Sequence, residues 1–334
     1  MLKISEAEGL SFDDVLIVPG FSTVRSRSHV DLSTMLGKVG MGLPIMAANM
    51  DTVCEGSMVR AMDKLGGVGV VHRNLPLNIR FGVAAASKTR SAVAFGVNED
   101  LDHVLYEAGV HGTRMLVLDI AHGHSEHALT TLQYMRRKMG LDVTLVGGNV
   151  ATAEGVVDLA EAGADVVKVG IGPGGACSTR IVTGVGVPQL TAIAECVAAA
   201  DRYAVQIIAD GGMRTAGDVA KALAAGADAV MLGNMLAGTT EAPGDIVTIQ
   251  GVKMKSYRGM ASSEAGSAYP EGVSGYVDYK GDVGPIVDGI VRGVSSTCSY
   301  VGAKDLLELS RNATFMKVSN SSLRESAPHD IMVS

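Results

Sequence analysis

The sequence predicts a (β/α)8 barrel, and three observations carry the prediction. Eight short apolar or β-branched runs recur along the chain: PIMAANM (44–50), GVGVV (67–71), AVAFGV (92–97), RMLVLDI (114–120), DVTLVGGNV (142–150), DVVKVGIG (165–172), AVQIIADGG (204–212) and DAVMLGN (228–234). Amphipathic stretches lie between them, among them EGSMVRAMDKLG, AEGVVDLAEAG and TAGDVAKALAAG, each closing on a glycine as a helix C-cap does. Two segments, EAGADVVKVGIGPGG (161–175) and AAGADAVMLGNMLAG (224–238), also echo each other. Strands that alternate with helices imply βαβ units in a parallel sheet, and strands apolar throughout imply burial on both faces. Eight repeats over about 250 residues are what a closed barrel requires. The alternative, an open doubly wound sheet, wants a Gly-x-Gly-x-x-Gly after the first strand, and the glycine-rich runs here come late.

The remaining elements fall around that repeat. The first 43 residues read as a strand-bearing arm, and 239–285 as a polar insertion after the eighth strand, too long for a tight turn. The tail from Ser319 reads as polar and irregular, and no linker divides the chain. One catalytic barrel domain is therefore expected over 1–334.

Composition narrows the function. The 334 residues are 47% hydrophobic and 19% charged, enough to bury a large core without disulfides or metal. Glycine is abundant, at 42 residues, while aromatics are 4% with no Trp. With only 9 prolines and no period of three, the glycines belong to turns and to places where backbone approaches a ligand. No apolar run reaches the length of a membrane span. The acidic start, MLKISEAEGLSFDD, lacks a signal-peptide core, so a cytoplasmic protein is expected. Four dispersed cysteines without a C-x-x-C pair argue against structural zinc, and a net charge of −7 argues against nonspecific nucleic-acid binding.

In a barrel, chemistry collects where strands end at the C-terminal face. The strand ends here carry Asn49-Met50-Asp51, Asp119, Gly148-Asn149, Asp210-Gly211-Gly212 and Gly233-Asn234. Glycines after the seventh and eighth strands suit a phosphate cradled by backbone N–H groups. The loop GIGPGGACSTR (170–180) presents Cys177 beside two hydroxyls and Arg180, whose charge would favour a nucleophilic thiolate. Cys54, Cys196 and Cys298 lie in helical contexts and read as buried, inert thiols. His122, His124 and His127 have a spacing open to a metal, but also to polar loop residues that contact a ligand.

Together GLSFDDVLIVP (9–19), AANMDTV (47–53), GNVAT (148–152), VKVGIGPGGACSTR (167–180), TGVGVPQL (183–190), ADGG (209–212) and YRGMASS (257–263) resemble the IMP dehydrogenase/GMP reductase family over nearly the whole chain. The resemblance implies a purine 5′-monophosphate, GMP or IMP, at the barrel mouth, and a covalent thioimidate between its C2 and Cys177. It implies Thr179 and Glu271 as the catalytic partners of Cys177. Asp210 would take the ribose hydroxyls and Gly212, Gly233, Asn234 and Tyr257 the phosphate, with Met50, Gly259 and Met260 near the base. Asp119 and Asn149 match residues beside the nicotinamide of NADPH or NAD. The tail LRESAPHDI (323–331) resembles the dehydrogenase form, in which Glu325 and Ser326 join carbonyls of Gly172, Gly174 and Cys177 around a potassium ion across a subunit boundary. A homotetramer is implied by the same analogy.

The two activities of the family diverge after the thioimidate: dehydrogenases hydrolyse it with an Arg-Tyr pair on a mobile flap, and reductases, which form it by expelling ammonia from GMP, reduce it to IMP with hydride from NADPH. ASSEAGSAYPE (261–271) holds no Arg-Tyr and is short. DIAHGHSEH, AANMDTV, VDYKGDV (277–283), STCSYVGA (296–303) and TFMKV (314–318) resemble the reductase form. Gly175 departs from the serine usual in the loop, and about 20 residues join the second and third strands, where dehydrogenases usually insert CBS modules. The expectation is an NADPH-dependent GMP reductase-like enzyme. A CBS-less IMP dehydrogenase using NAD, or a catalytically silent nucleotide-binding regulator, stand as alternatives.

Overall fold

The computed structural model describes residues 8–87, 89–140 and 142–326. Eight parallel strands close into a barrel: β1 (Ile45–Ala47), β2 (Val68–Val71), β3 (Ala92–Phe95), β4 (Met115–Leu118), β5 (Thr144–Val150), β6 (Val166–Val169), β7 (Gln206–Asp210) and β8 (Ala229–Leu232), with β8 paired to β1. Around them run α1 (Gly56–Leu65), α2 (Leu77–Ala84), α3 (Leu101–His111), α4 (Glu126–Met139), α5 (Ala153–Glu161), α6 (Gln189–Ala200), α7 (Ala216–Ala224) and α8 (Val283–Val301). Among the described residues, the stretch between β2 and β3 holds α2 alone.

The strand period of two sorts side chains into two cores. Met115 and Val117 of β4 and Ala229 and Met231 of β8 fill the barrel interior, while Leu116, Leu118, Val230 and Leu232 face the helices. The interior holds Val, Ile, Ala, Met and Leu and no aromatic ring, which accounts for the low aromatic content. Helix ends follow their sequence signals. Gly66 closes α1 in the left-handed conformation, and Thr215 with Asp218 forms a capping box on α7.

The arm does three things. A hairpin, Thr34–Leu36 with Val39–Met41, pushes Leu36, Val39 and Met41 into the barrel interior. Phe12 is buried behind β7, and Val15–Val18 pairs antiparallel with Thr314–Lys317, so the two ends of the chain clasp. The insertion is more ordered than a polar loop. Val247–Ile249, Val252–Arg258 and Ser274–Asp278 form an antiparallel sheet over the barrel mouth, and α8 already begins at Val283. The tail is likewise not irregular throughout, because Asn320–Glu325 is helical with Ser319 as its N-cap. No helix among the described residues is long and apolar enough to cross a membrane.

Candidate active site

One cavity opens at the C-terminal face of the barrel, and it gathers side chains from almost every strand end. Met50, Asp119, Asn149, Gly172, Gly174, Cys177, Thr179, Asp210, Gly212, Gly233, Asn234, Tyr257, Gly259, Met260 and Glu271 all line it. Glu325 and Ser326 do not; both are exposed on the C-terminal helix, and the tail motif beyond Ser326 lies outside the described residues. Among the described residues of one chain, then, the tail brings neither side chain into the cavity beside the Gly172–Cys177 loop, and the Gly174 carbonyl accepts the Cys177 N–H at 3.0 Å.

Cys177 is delivered by backbone pairing. The Ala176–Ser178 segment runs antiparallel to Glu271–Val273: the Val273 N–H donates to the Ala176 carbonyl at 3.0 Å and the Ser178 N–H to the Glu271 carbonyl at 2.8 Å. Gly259 permits this approach, since a Cβ there would stand 2.7 Å from the Ala176 oxygen. The consequence is a side-chain relay: the Cys177 thiol donates to Thr179 Oγ1 at 3.2 Å, and the Thr179 hydroxyl donates to Glu271 Oε2 at 2.8 Å. Arg180 is not part of it. Its guanidinium donates to the Val187 and Ile171 carbonyls, at 2.5 and 3.4 Å, and so braces the loop rather than pairing with the thiol.

The other thiols are sequestered. Cys54 lies in the loop before α1 rather than in a helix, and burial, helped by the Glu55 charge, raises its pKa. Burial pushes Cys196 up to about 12 and Cys298 up to about 11. Cys177 alone is partly exposed.

Beside the Cys177 loop, Gly211 and Gly212 follow β7 with φ of 88° and 84°, a left-handed pair that a side chain would strain, and a Cβ on either would stand 3.2 Å from Pro173. Gly233 follows β8 so tightly packed that a Cβ would stand 3.1 Å from the Met50 sulfur and 3.2 Å from the Tyr257 hydroxyl. Burial pushes the Tyr257 phenol up to about 12, with the Asp210 and Cys177 charges adding to it, so it stays a hydrogen-bond donor. These backbone and hydroxyl donors suit a phosphate. Asp51, beside Met50, receives both Arg258 Nε (3.1 Å) and Nη2 (2.6 Å) and the Asn74 amide (2.8 Å), which fastens the overlying sheet to the β1 loop.

Three cations escaped the sequence reading. Lys168 of β6 is buried and donates to Asp210 Oδ2 at 2.7 Å and to the Asn149 amide oxygen. Arg73, at the end of β2, holds Asp119 Oδ2 at 3.0 Å on the cavity wall. Lys280 supports the phosphate-side loop from behind through the Asn234 carbonyl at 2.6 Å. Only Lys168 left a signal, a lone charge inside an otherwise apolar strand run. The histidine cluster takes another course. His124 Nε2 lies 2.7 Å from Asp158, His127 sits within α4, and among the described residues no group of three His, Cys, Asp or Glu has metal-binding proximity.

Residues 9–329 match the IMP dehydrogenase / GMP reductase domain family. The chain belongs to this family. It is similar to an inosine-5′-monophosphate dehydrogenase of Cryptosporidium parvum, 38% identical over 98% of this chain and 96% of the relative. It is also similar to one of Helicobacter pylori strain J99, 41% identical over 96% of this chain and 72% of the relative. A GMP reductase of Shewanella pealeana is 40% identical over 95% and 97%. The IMP dehydrogenase/GMP reductase family comprises enzymes that act on a purine monophosphate, IMP or GMP, with a nicotinamide cofactor. The cavity lining holds both kinds of group such a pair needs, carboxylates and an amide (Asp119, Asn149, Asp210) and glycine backbone at Gly211–Gly212 and Gly233.

Proposed function

We propose that the chain is a GMP reductase: it converts GMP to IMP and ammonia with NADPH. The Cys177–Thr179–Glu271 relay carries this reading, because reductive deamination needs a group that takes the thiol proton and delivers it to a leaving amine. The thiol proton passes through the Thr179 hydroxyl to Glu271, and Cys177 Sγ bonds to C2 of GMP. The C2–N bond then breaks, and the relay returns that proton to the departing amino group, which leaves as ammonia. The thioimidate so formed is neutral and no longer carries an exocyclic nitrogen at C2. A nicotinamide dinucleotide, when bound, would supply the hydride at C2; the C–S bond then breaks to release the Cys177 thiolate, which takes a new proton from solvent because its first has left with ammonia. Tyr257, the Gly211–Gly212 turn and the Gly233–Asn234 turn hold the phosphate, and Asp210 the ribose. Met50, Gly259 and Met260 flank the base, and Asp119 and Asn149 the nicotinamide.

A second reading is favoured by the names of the Cryptosporidium and Helicobacter relatives. In an IMP dehydrogenase the same relay would run in reverse and take a proton from the water that hydrolyses the thioimidate, with NAD as acceptor. The segment 261–271 holds no Arg-Tyr base, so that hydrolysis would rest on Thr179 and Glu271 alone. A homotetramer, with potassium on the Gly172–Cys177 loop completed by Glu325 and Ser326 of another copy, belongs to either reading.

Absorbance at 340 nm decides between them. GMP-dependent loss of NADPH supports the reductase, and growth of NADH with IMP and NAD overturns it. Silence in both assays, with GMP or IMP still raising the melting temperature, favours a regulator that binds without turnover.

A further inference from the structure

We propose that Lys168 is the positioning residue that makes this site select ribonucleotides over deoxyribonucleotides, acting through Asp210. The inference rests on the reading that Asp210 takes the ribose of the purine monophosphate.

The two Asp210 oxygens have unequal surroundings. Oδ2 accepts from Lys168 Nζ at 2.7 Å and from Asn149 Nδ2 at 2.9 Å, which places two donors on one atom. Among the described residues no hydrogen bond reaches Oδ1, while Asp210 lines the cavity with 21% of its side chain exposed. The carboxylate is thus fixed from below on one oxygen and offers the other to a ligand donor. A ribose hydroxyl is such a donor, and an ionised carboxylate can only accept.

Lys168 is placed to do this. Its side chain is 4% exposed, it projects from the middle of β6, and it touches Asn149 and Asp210 of the neighbouring β5 and β7. Lys168 also borders the cavity, but both of its recorded hydrogen bonds go to these two side chains, and it acts on the ligand through them. Its charge compensates a carboxylate that would otherwise be partly desolvated and alone. Its second bond sets the Asn149 amide, whose Nδ2 in turn donates to Asp210 Oδ2 and to the Gly170 carbonyl at 2.8 Å. The three side chains form a closed triangle in which each fixes the other two. A rigid acceptor gains more from the correct hydroxyl than one that turns freely, because its ordering has already occurred before binding.

A merely structural lysine and a positioning lysine differ in what its loss does to different ligands. Affinities of GMP, 2′-deoxy-GMP and 3′-deoxy-GMP, and of IMP and its two deoxy analogues, are measured by calorimetry for the wild type and for Lys168→Met and Lys168→Arg, with kcat and KM alongside. The wild type should favour the ribonucleotide over the analogue that lacks the accepted hydroxyl by about 10- to 100-fold, the range of a hydrogen bond to a charged group. Lys168→Met should bring that ratio close to one, by weakening the ribonucleotide and leaving the deoxy analogue unchanged, with KM moving more than kcat. Lys168→Arg should restore part of it. Lys168→Gln gives the same readout where the Met variant folds poorly. An unchanged ratio in a folded Met or Gln variant overturns the proposal, and so does an equal loss for all nucleotides. A wild type that binds the ribo and both deoxy forms alike overturns the assignment of Asp210 to the ribose, and the role of Lys168 falls with it.

Discussion

The Ser178 N–H donates to the Glu271 carbonyl at 2.8 Å, so the main chain sets where the Glu271 carboxylate stands relative to Cys177. A short segment bridged in this way is a fixed wall of the site. It also separates chemistry from architecture, because the side chain of Glu271 can change while the backbone bridge persists.

Glu271→Gln should accordingly lower kcat by about 10²- to 10⁴-fold, the range for removal of a general acid or base. Melting temperature and GMP binding should stay near wild type. Thr179→Val interrupts the same relay, and the double variant should be little worse than either single one, as expected of residues that act as a unit. Steady-state kinetics on the three variants checks this. Normal turnover in Glu271→Gln removes that residue from proton transfer.

Cys177→Ala should abolish turnover in both assay directions and leave nucleotide binding largely intact, because in the proposed mechanism the thiol is the bond-forming atom, while the residues proposed for phosphate and ribose are other members of the cavity lining. Intact-mass spectrometry of an acid-quenched reaction should find a nucleotide adduct on the wild type and none on the variant. Turnover by Cys177→Ala would end the covalent mechanism.

The barrel was legible because its signal is local and repeated: each strand run and each glycine-closed helix can be read within a dozen residues. Cys177 was legible for the same reason, since proline and glycines mark its loop. What escaped depends on distance. Lys168 meets Asp210 across 42 residues and Arg258 meets Asp51 across 207, and nothing in the neighbourhood of either residue names its partner. The sheet of 247–278 escaped because it lies on the barrel mouth with much of its surface exposed, so its strands lack the apolar runs that mark the barrel. Arg180 was misread because sequence adjacency to Cys177 stood in for direction, and its side chain points to the Val187 carbonyl instead.

Arg258→Ala tests how the overlying sheet is held. Burial alone would raise the Asp51 pKa, but hydrogen bonds from Arg258 and Asn74 outweigh it and hold the carboxyl below its ordinary 3.8. A carboxylate with a depressed folded pKa stabilises the fold at pH above its unfolded value, and the contribution disappears as pH falls through the folded value. The variant should lose about 1–3 kcal/mol at neutral pH, the cost of leaving a buried acceptor without its donor. Its stability deficit should begin to shrink as pH drops below about 4, where Asp51 of the unfolded chain takes up a proton, and continue to shrink down through the lower folded value. Urea denaturation at pH 7 and pH 3.5 measures both. A deficit that is the same at the two pH values refutes the pairing as its cause. KM for the nucleotide should also rise, because Tyr257 and Gly259 flank Arg258 and lose their anchor to the Met50 loop.

Tyr257 should ionise well above the ordinary tyrosine range. Burial, with help from the Asp210 and Cys177 charges, lifts its phenol from the usual 10 up to about 12. A raised folded pKa means that the unfolded chain gives up this proton first. The stabilisation is therefore complete below about pH 10 and is lost progressively as pH climbs toward 12. In a spectrophotometric titration at 295 nm, Tyr257→Phe should remove amplitude from the highest-pH part of the curve only. Between pH 9.5 and 11.5 the melting temperature of the wild type should fall more steeply than that of the variant. The donor role in phosphate binding gives a second readout, since Tyr257→Phe should raise KM for the monophosphate about 10-fold while binding of the corresponding nucleoside is unchanged. Loss of amplitude near pH 10 instead would place Tyr257 in water, and would exclude it as a protonated phosphate donor set by burial.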